Sequence, residues 1–321
     1  MSDYRFVPTY TRMIHAREVI EGKVHRTPVM TCSYFDRITG GRCFFKTENF
    51  QKTGSFKARG AVYAVESLSE AEAARGSATH SSGNHAQAIA YASALRGISA
   101  HIVMPENAPR VKIDAVKEYG GEIRFCGPSL ADREAELSRV ISRTGASFIP
   151  PYNDGRVIAA QGSCAAELLE QTEHLDMVIA PVGGGGLLSG TGLWAYYQGG
   201  ETAVFGAEPA GADDARRSFV SGSLAGNTRP DTIADGLRTQ LSELTFSIIR
   251  RHAADIILVT DEQIIEAMRI IWERMKIVVE PSAAVPAAAL LSGIIPCANK
   301  RIGVILSGGN VDVSALPWSG G

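Results

Sequence analysis

The chain has 321 residues, 45% hydrophobic and 21% charged, enough for a sizeable buried core and, at this length, for about two domains. Its net charge is −2 and its Lys and Arg residues are scattered, which excludes the basic footprint of a nucleic-acid binder or of a protein held on an anionic membrane. The five cysteines (Cys32, Cys43, Cys126, Cys164, Cys297) form neither a CxxC pair nor a His/Cys cluster of zinc spacing, so a reduced, cytoplasmic protein without structural zinc is expected.

Met1-Ser2-Asp3-Tyr4-Arg5 lacks the apolar core of a signal peptide, and no apolar run approaches the roughly 18 residues needed to span a bilayer. The first segment with chemical content is Asn49 to Gly60, where Lys52 and Lys57 lie in a turn entering a helix. Most lysines are solvated surface charges. One held among apolar neighbours has a lowered pKa and a free amine able to attack a carbonyl.

Next comes His80-Ser81-Ser82-Gly83-Asn84-His85, followed by a small-residue helix from Ala86 to Leu95. Its hydroxyls, amide and backbone N–H groups at a helix start suit a carboxylate; an ordinary N-cap accounts for one of these residues but hardly for all of them. Ala100–Met104 reads as a strand before a helix near Pro109–Tyr119.

Met177–Val182 reads as another strand, running into Gly183-Gly184-Gly185-Gly186-Leu187 and a helix to Tyr197. Unhindered backbone N–H groups and a helix N-terminus converge there, an anion pocket best matched by a phosphate. It is not a Walker loop, since no Lys-Ser/Thr follows. Gly184, Gly186 and Ser189 approximate GxGxxG, and Glu208 ends the next strand about 20 residues on, where a ribose-binding acid would sit, so this loop alone leaves a dinucleotide open.

Thr260 and Gln263 form a capping box ahead of the amphipathic set Ile264, Ile265, Met268, Ile271 and Trp272. Ser282 to Pro296, interrupted by Pro286, reads as a buried helix, and Ile302–Leu306 as a last strand. Continuous apolar strands alternating with helices predict an α/β fold with parallel sheets covered on both faces. The rhythm places a smaller inserted lobe at 76–151 and a larger one at 1–75 plus 152–321.

Gln51 to Gly60, Ser81 to His85, Gly183 to Leu187 and Ser307-Gly308-Gly309-Asn310 resemble, in order, the four signature loops of the fold-type II (tryptophan synthase β-like) pyridoxal-phosphate enzymes. The likeness runs from about Thr27 to Asp312 and is nearest to the serine racemase and serine/threonine dehydratase branch. It implies that Lys57 carries the cofactor covalently and then removes the substrate's α-proton, and that Gly183, Gly184, Gly185, Gly186 and Leu187 hold the phosphate. Asn84 would meet the ring hydroxyl, Phe56 and Gly236 the two ring faces, and Ser307 the pyridine nitrogen. Ser81, Ser82, Asn84 and His85 would bind substrate, with Ser82 as a second acid/base on the face opposite Lys57.

The same resemblance makes Glu208-Pro209-Ala210-Gly211-Ala212-Asp213-Asp214 a divalent-cation loop for Mg²⁺, Mn²⁺ or Ca²⁺, with Glu208, the Ala212 carbonyl and Asp214 as ligands. A helix-capping role for the acids is the plainer reading. Arg133 stands where relatives place an arginine able to reach a second substrate carboxylate, and Tyr152-Asn153-Asp154 and Ala284-Val285-Pro286 look like hydroxyaspartate dehydratases as much as serine enzymes.

The implied activity is a homodimeric ammonia-lyase converting L-serine, L-threonine or 3-hydroxyaspartate to a keto acid and ammonia, with serine racemisation as the alternative. A β-replacement enzyme of the cysteine synthase type shares the fold and the lysine, but the Ser-Ser-Gly-Asn-His loop and the acidic loop speak against it. A non-catalytic ligand sensor is unmotivated, because every expected cofactor contact is intact.

Overall fold

The computed structural model describes residues 4–108, 110–226 and 229–318. The chain forms two compact units, one of residues up to 25 with 57–160, the other of 26–56 with everything from 161 onward. It passes between them at the His25–Arg26 bond, at the Phe56–Lys57 bond and within the Gly155–Thr172 helix.

Ten strands follow in chain order: β1 (Val29–Thr31), β2 (Arg42–Thr47), β3 (Ser77–His80), β4 (Ala100–Pro105), β5 (Glu122–Cys126), β6 (Ser147–Phe148), β7 (Met177–Pro181), β8 (Ala203–Pro209), β9 (Asp255–Val259) and β10 (Arg301–Leu306). In the first unit β5-β4-β3-β6 make a parallel sheet. All four of its strands fall inside the 76–151 segment, while the Lys57–Glu66 helix, which packs on the Asn84–Arg96 helix of this unit, lies outside it. The helix expected near Pro109–Tyr119 spans Arg110–Glu118; Pro109 lies outside the described residues.

The second unit holds a sheet of order β1-β2-β10-β7-β8-β9, parallel except where β1 meets β2. Strand β7 is buried along its whole length and β10 at every residue but the first, as parallel strands covered on both faces must be. The Pro281–Leu291 helix carries Pro at its first position, where no N–H is needed, and is buried from Ser282 to Leu290 despite Pro286. The Thr260 capping box forms as expected, and Ile264, Ala267 and Met268 of its helix enter the core with Ile271.

One buried cation of this unit is structural. Lys46 at the end of β2 is fully buried, and its three ammonium protons are matched by the Thr27 carbonyl at 2.6 Å, Glu167 Oε2 at 2.7 Å and Gln171 Oε1 at 2.9 Å. A paired and fully hydrogen-bonded charge is tolerable in a core. Thr27 in turn donates to Glu48 Oε1 at 2.5 Å, so β2 is anchored just where it leaves the sheet toward the Asn49–Gly60 segment.

Candidate active site

In the second unit β7 ends at Pro181, and the glycines follow directly. Gly185, at φ +86°, occupies a left-handed conformation that only glycine adopts without strain, and it caps the Gly186–Tyr197 helix. A Cβ on Gly185 would lie 2.7–2.9 Å from Leu241, Ile249 and Thr245, and one on Gly183 would lie 2.9 Å from the Leu237 Cα and 3.3 Å from the Gly236 carbonyl. The loop is therefore a cradle of bare backbone. The first amides of the helix have no partner within it, so they and the helix dipole favour an anion. The pocket fits a phosphate.

Other predicted residues gather on the same unit. Phe56 is tied to the end of β10, its N–H donating to the Ser307 carbonyl at 3.1 Å, while Ser55 bridges Gly308. Gly54, at φ +69°, would place a Cβ 2.4 Å from Asn310 Oδ1, and Asn310 Nδ2 donates to the Thr53 carbonyl at 2.7 Å. The first and fourth sequence motifs thus brace each other. Gly236 donates its N–H to Ser282 Oγ at 3.0 Å.

In the first unit Lys57 opens its helix, and its Nζ donates to the Pro151 carbonyl at 2.9 Å. The Ser81–His85 loop leaves β3 and enters the Asn84–Arg96 helix: Ser81 N–H donates to the Val103 carbonyl at 3.1 Å, and Ser81 Oγ accepts from Gly83 N–H at 3.2 Å. Ser82 and Asn84 are half-buried.

His85 is buried, and its Nε2 lies 3.0 Å from the Ile149 carbonyl. Burial first, and then the Lys57 charge, push its pKa down to about 3, so the ring is neutral. A carbonyl can only accept; Nε2 therefore carries the proton, and Nδ1 is a buried acceptor with no hydrogen-bond partner among the described residues. Such an acceptor matches a hydroxyl better than a carboxylate.

Arg133, on the Leu130–Thr144 helix, is half-buried and close enough to His80, at the end of β3, to help burial depress that histidine's pKa. The Arg133 Nε donates to the Ser129 carbonyl at 3.4 Å, at the start of its own helix.

Glu208 ends β8, but its two oxygens accept the Ala215 and Arg216 N–H groups, each at 2.8 Å, capping the Asp214–Ser221 helix. That geometry removes it from any ribose. Glu208, Ala212 and Asp214 are all buried, and burial raises the Glu208 pKa to about 8, with Asp214 and Asp213 adding to the rise. Among the described residues no group of three or more His, Cys, Asp or Glu side chains is placed to hold a metal ion, so a cation here would rest on two carboxylates, a carbonyl and water.

Two neighbours of these residues carry no sequence signal. Pro151 meets Lys57 from 94 positions away, and buried Glu280 puts Oε1 2.7 Å from where a Cβ on Gly308 would be.

Residues 20–308 match the family model described as pyridoxal-phosphate dependent enzyme. The chain is 49% identical, over 98% of its length and 100% of the relative, to the β-hydroxyaspartate dehydratase of Paracoccus denitrificans. It is 47% identical, over 94% of each chain, to the serine racemase of Dictyostelium discoideum. The solved structure of maize serine racemase superposes with a TM-score of 0.94 at 42% identity, covering 96% of this chain and 95% of that one.

Proposed function

The chain belongs to the pyridoxal-phosphate dependent enzymes, and from that premise we propose that it is an ammonia-lyase of β-hydroxy amino acids, with 3-hydroxyaspartate as the substrate it favours. The observation that carries this is the 49% identity maintained from end to end with a β-hydroxyaspartate dehydratase. Arg133, whose charge is felt at His80 just before the Ser81–His85 loop, would supply a cation for the second carboxylate that serine and threonine lack.

When bound, pyridoxal phosphate supplies an electron sink for negative charge at the substrate's α-carbon. Lys57 would hold the cofactor and, once free of it, would serve as the base for the substrate's α-proton. By the family likeness, Gly183 to Leu187 would hold the phosphate, Ser307 and Asn84 would serve the polar atoms of the ring, and Phe56 and Gly236 its faces. The hydroxyl and amide donors of Ser81, Ser82 and Asn84 would meet the substrate carboxylate, and the neutral His85 Nδ1 would accept a hydrogen bond from the substrate's β-hydroxyl. The β-hydroxyl would leave as water with the proton that Lys57 took from the α-carbon, and the released enamine would take up water to give a keto acid and ammonia.

Serine racemisation is the second reading, motivated by Ser82 and by the likeness to serine racemases. Keto-acid and ammonia release should be measured across L- and D-serine, threonine and the 3-hydroxyaspartate isomers, with chiral analysis of unreacted substrate. One hydroxyaspartate isomer is expected to show the highest kcat/KM. Serine inverted faster than any substrate is deaminated would move the assignment to a racemase, and no ammonia from any of them would end the lyase reading.

Mg²⁺ or Mn²⁺ at Glu208, the Ala212 carbonyl and Asp214 belongs to the same proposal, because two buried carboxylates in one loop oppose each other's ionisation and a cation would relieve that. A cation that binds only the folded state stabilises it by about 2.7 kcal/mol at a hundred times its Kd. Added metal should therefore raise the thermal midpoint and a chelator lower it. A midpoint that neither treatment moves leaves these acids as a helix cap.

Among the described residues no helix is long and apolar enough to cross a membrane, and all five cysteines are free thiols, four of them buried. The free thiols fit a reducing compartment such as the cytoplasm, and the family likeness alone carries the homodimer of this proposal.

A further inference from the structure

The Lys57 amine rests on a segment that none of the four motifs includes. Its acceptor, the Pro151 carbonyl at 2.9 Å, lies between two anchors in the same unit. Upstream, Ile149 N–H donates to the Ala78 carbonyl at 2.9 Å, and the Ile149 carbonyl accepts from Thr79 Oγ1 at 2.9 Å and His85 Nε2 at 3.0 Å.

Downstream, buried Asp154 takes Arg156 as a fork, Nε to Oδ1 at 3.1 Å and Nη2 to Oδ2 at 2.6 Å, and also accepts the Arg156 N–H at 2.8 Å. The guanidinium, 3% exposed, lies 3.2 Å from the centre of the Tyr4 ring, and the Tyr4 carbonyl accepts from Gly155 N–H at 2.7 Å. Between the anchors stand Pro150 and Pro151, whose rings fix φ and whose nitrogens donate nothing.

We propose that the Asp154–Arg156–Tyr4 clamp is a positioning device that holds the Pro151 carbonyl as the resting place of the Lys57 amine after an amino acid has displaced it. This rests on Lys57 being the residue that carries the cofactor. In the displacement one C–N bond forms to the incoming nitrogen as the Lys57 C–N bond breaks, and one proton passes from the incoming to the leaving nitrogen. A donor set free beside low-dielectric surroundings needs an acceptor, and a fixed carbonyl keeps the amine within reach of its next proton. Arg156 acts through the backbone of 151–155 and is a positioning residue.

The clamp can be tested on the holoenzyme with two ligands that release no product. Glycine has an amine that displaces Lys57 and no β-hydroxyl to lose; succinate has carboxylates and no amine. Arg156→Lys keeps the charge but loses the planar fork and its stacking. Calorimetric titration should show glycine binding about tenfold weaker in this variant, the scale of one hydrogen bond to a charged or strongly polar group, with succinate binding unchanged. Tyr4→Ala should shift glycine affinity in the same direction by less, and Tyr4→Phe, which keeps the ring, not at all; the two keep the test open should Arg156→Lys not fold. Equal weakening of both ligands would make the clamp merely structural, and unchanged glycine affinity in Arg156→Lys and Tyr4→Ala would remove it from the displacement step. Borohydride reduction of the parent holoenzyme with peptide mapping reads the premise separately: cofactor fixed at a residue other than Lys57 overturns the lysine assignment itself.

Discussion

Lys57→Ala is expected to give a folded protein without the yellow colour of the parent, with cofactor that dialyses away and with turnover lowered at least about a thousandfold, since Lys57 is the proposed covalent anchor and the proposed α-proton base. Alanine is the strongest helix former and position 57 opens the Lys57–Glu66 helix, so the thermal midpoint of the cofactor-free variant should match that of the cofactor-free parent. The substitution also removes the charge that helps to hold His85 neutral. Lys57→Arg controls for this, because it restores a cation at the Pro151 carbonyl but no nucleophile, and it should be as inactive as the alanine variant. Visible absorption, retained cofactor after dialysis and ammonia release check the three expectations. Turnover at the parent's rate in either variant would place the chemistry on another residue.

The loops that were legible from sequence are those in which the backbone itself does the work. Gly185 and Gly54 must be glycine because φ is positive and a Cβ would collide, and the Thr260 box must be an acceptor three residues before a side chain able to reach back. Such demands leave a local trace. The buried strands β4, β7 and β10 did so as well, through runs that are apolar except for His101 in β4 and the leading Arg301 of β10.

What escaped were contacts between residues far apart in the chain. Lys46 and Glu167, 121 positions apart, look like two surface charges until the fold pairs them in the core. Arg156 reads as one more scattered cation, although Tyr4 and Asp154 enclose it. The division into units was hidden for a related reason: one crossing lies within the Gly155–Thr172 helix, where neither composition nor a turn residue marks a boundary.

Ser82→Ala is expected to separate inversion from elimination. Lys57 and Ser82 belong to the same unit, one opening a helix and the other in the loop that precedes the helix packed against it. Elimination from an L-substrate needs only the base that removes the α-proton. Inversion needs in addition a proton delivered to the opposite side of the same carbon, and a positioned acid/base contributes about 10²–10⁴-fold to such a transfer. Racemisation of L-serine should therefore fall at least about a hundredfold in Ser82→Ala, while L-serine deamination changes by no more than a few-fold. D-serine deamination, whose α-proton points to the Ser82 side, should fall with racemisation. The loop itself should survive, because it is braced by the Ser81 N–H on the Val103 carbonyl and the Gly83 N–H on the Ser81 hydroxyl, neither of which involves the Ser82 side chain. Chiral chromatography of serine after partial turnover, run beside keto-acid release from each enantiomer, reads all three rates in one experiment. Three equal losses would make Ser82 a support of the loop, and racemisation that persists in the variant would assign the second proton to water or to another group.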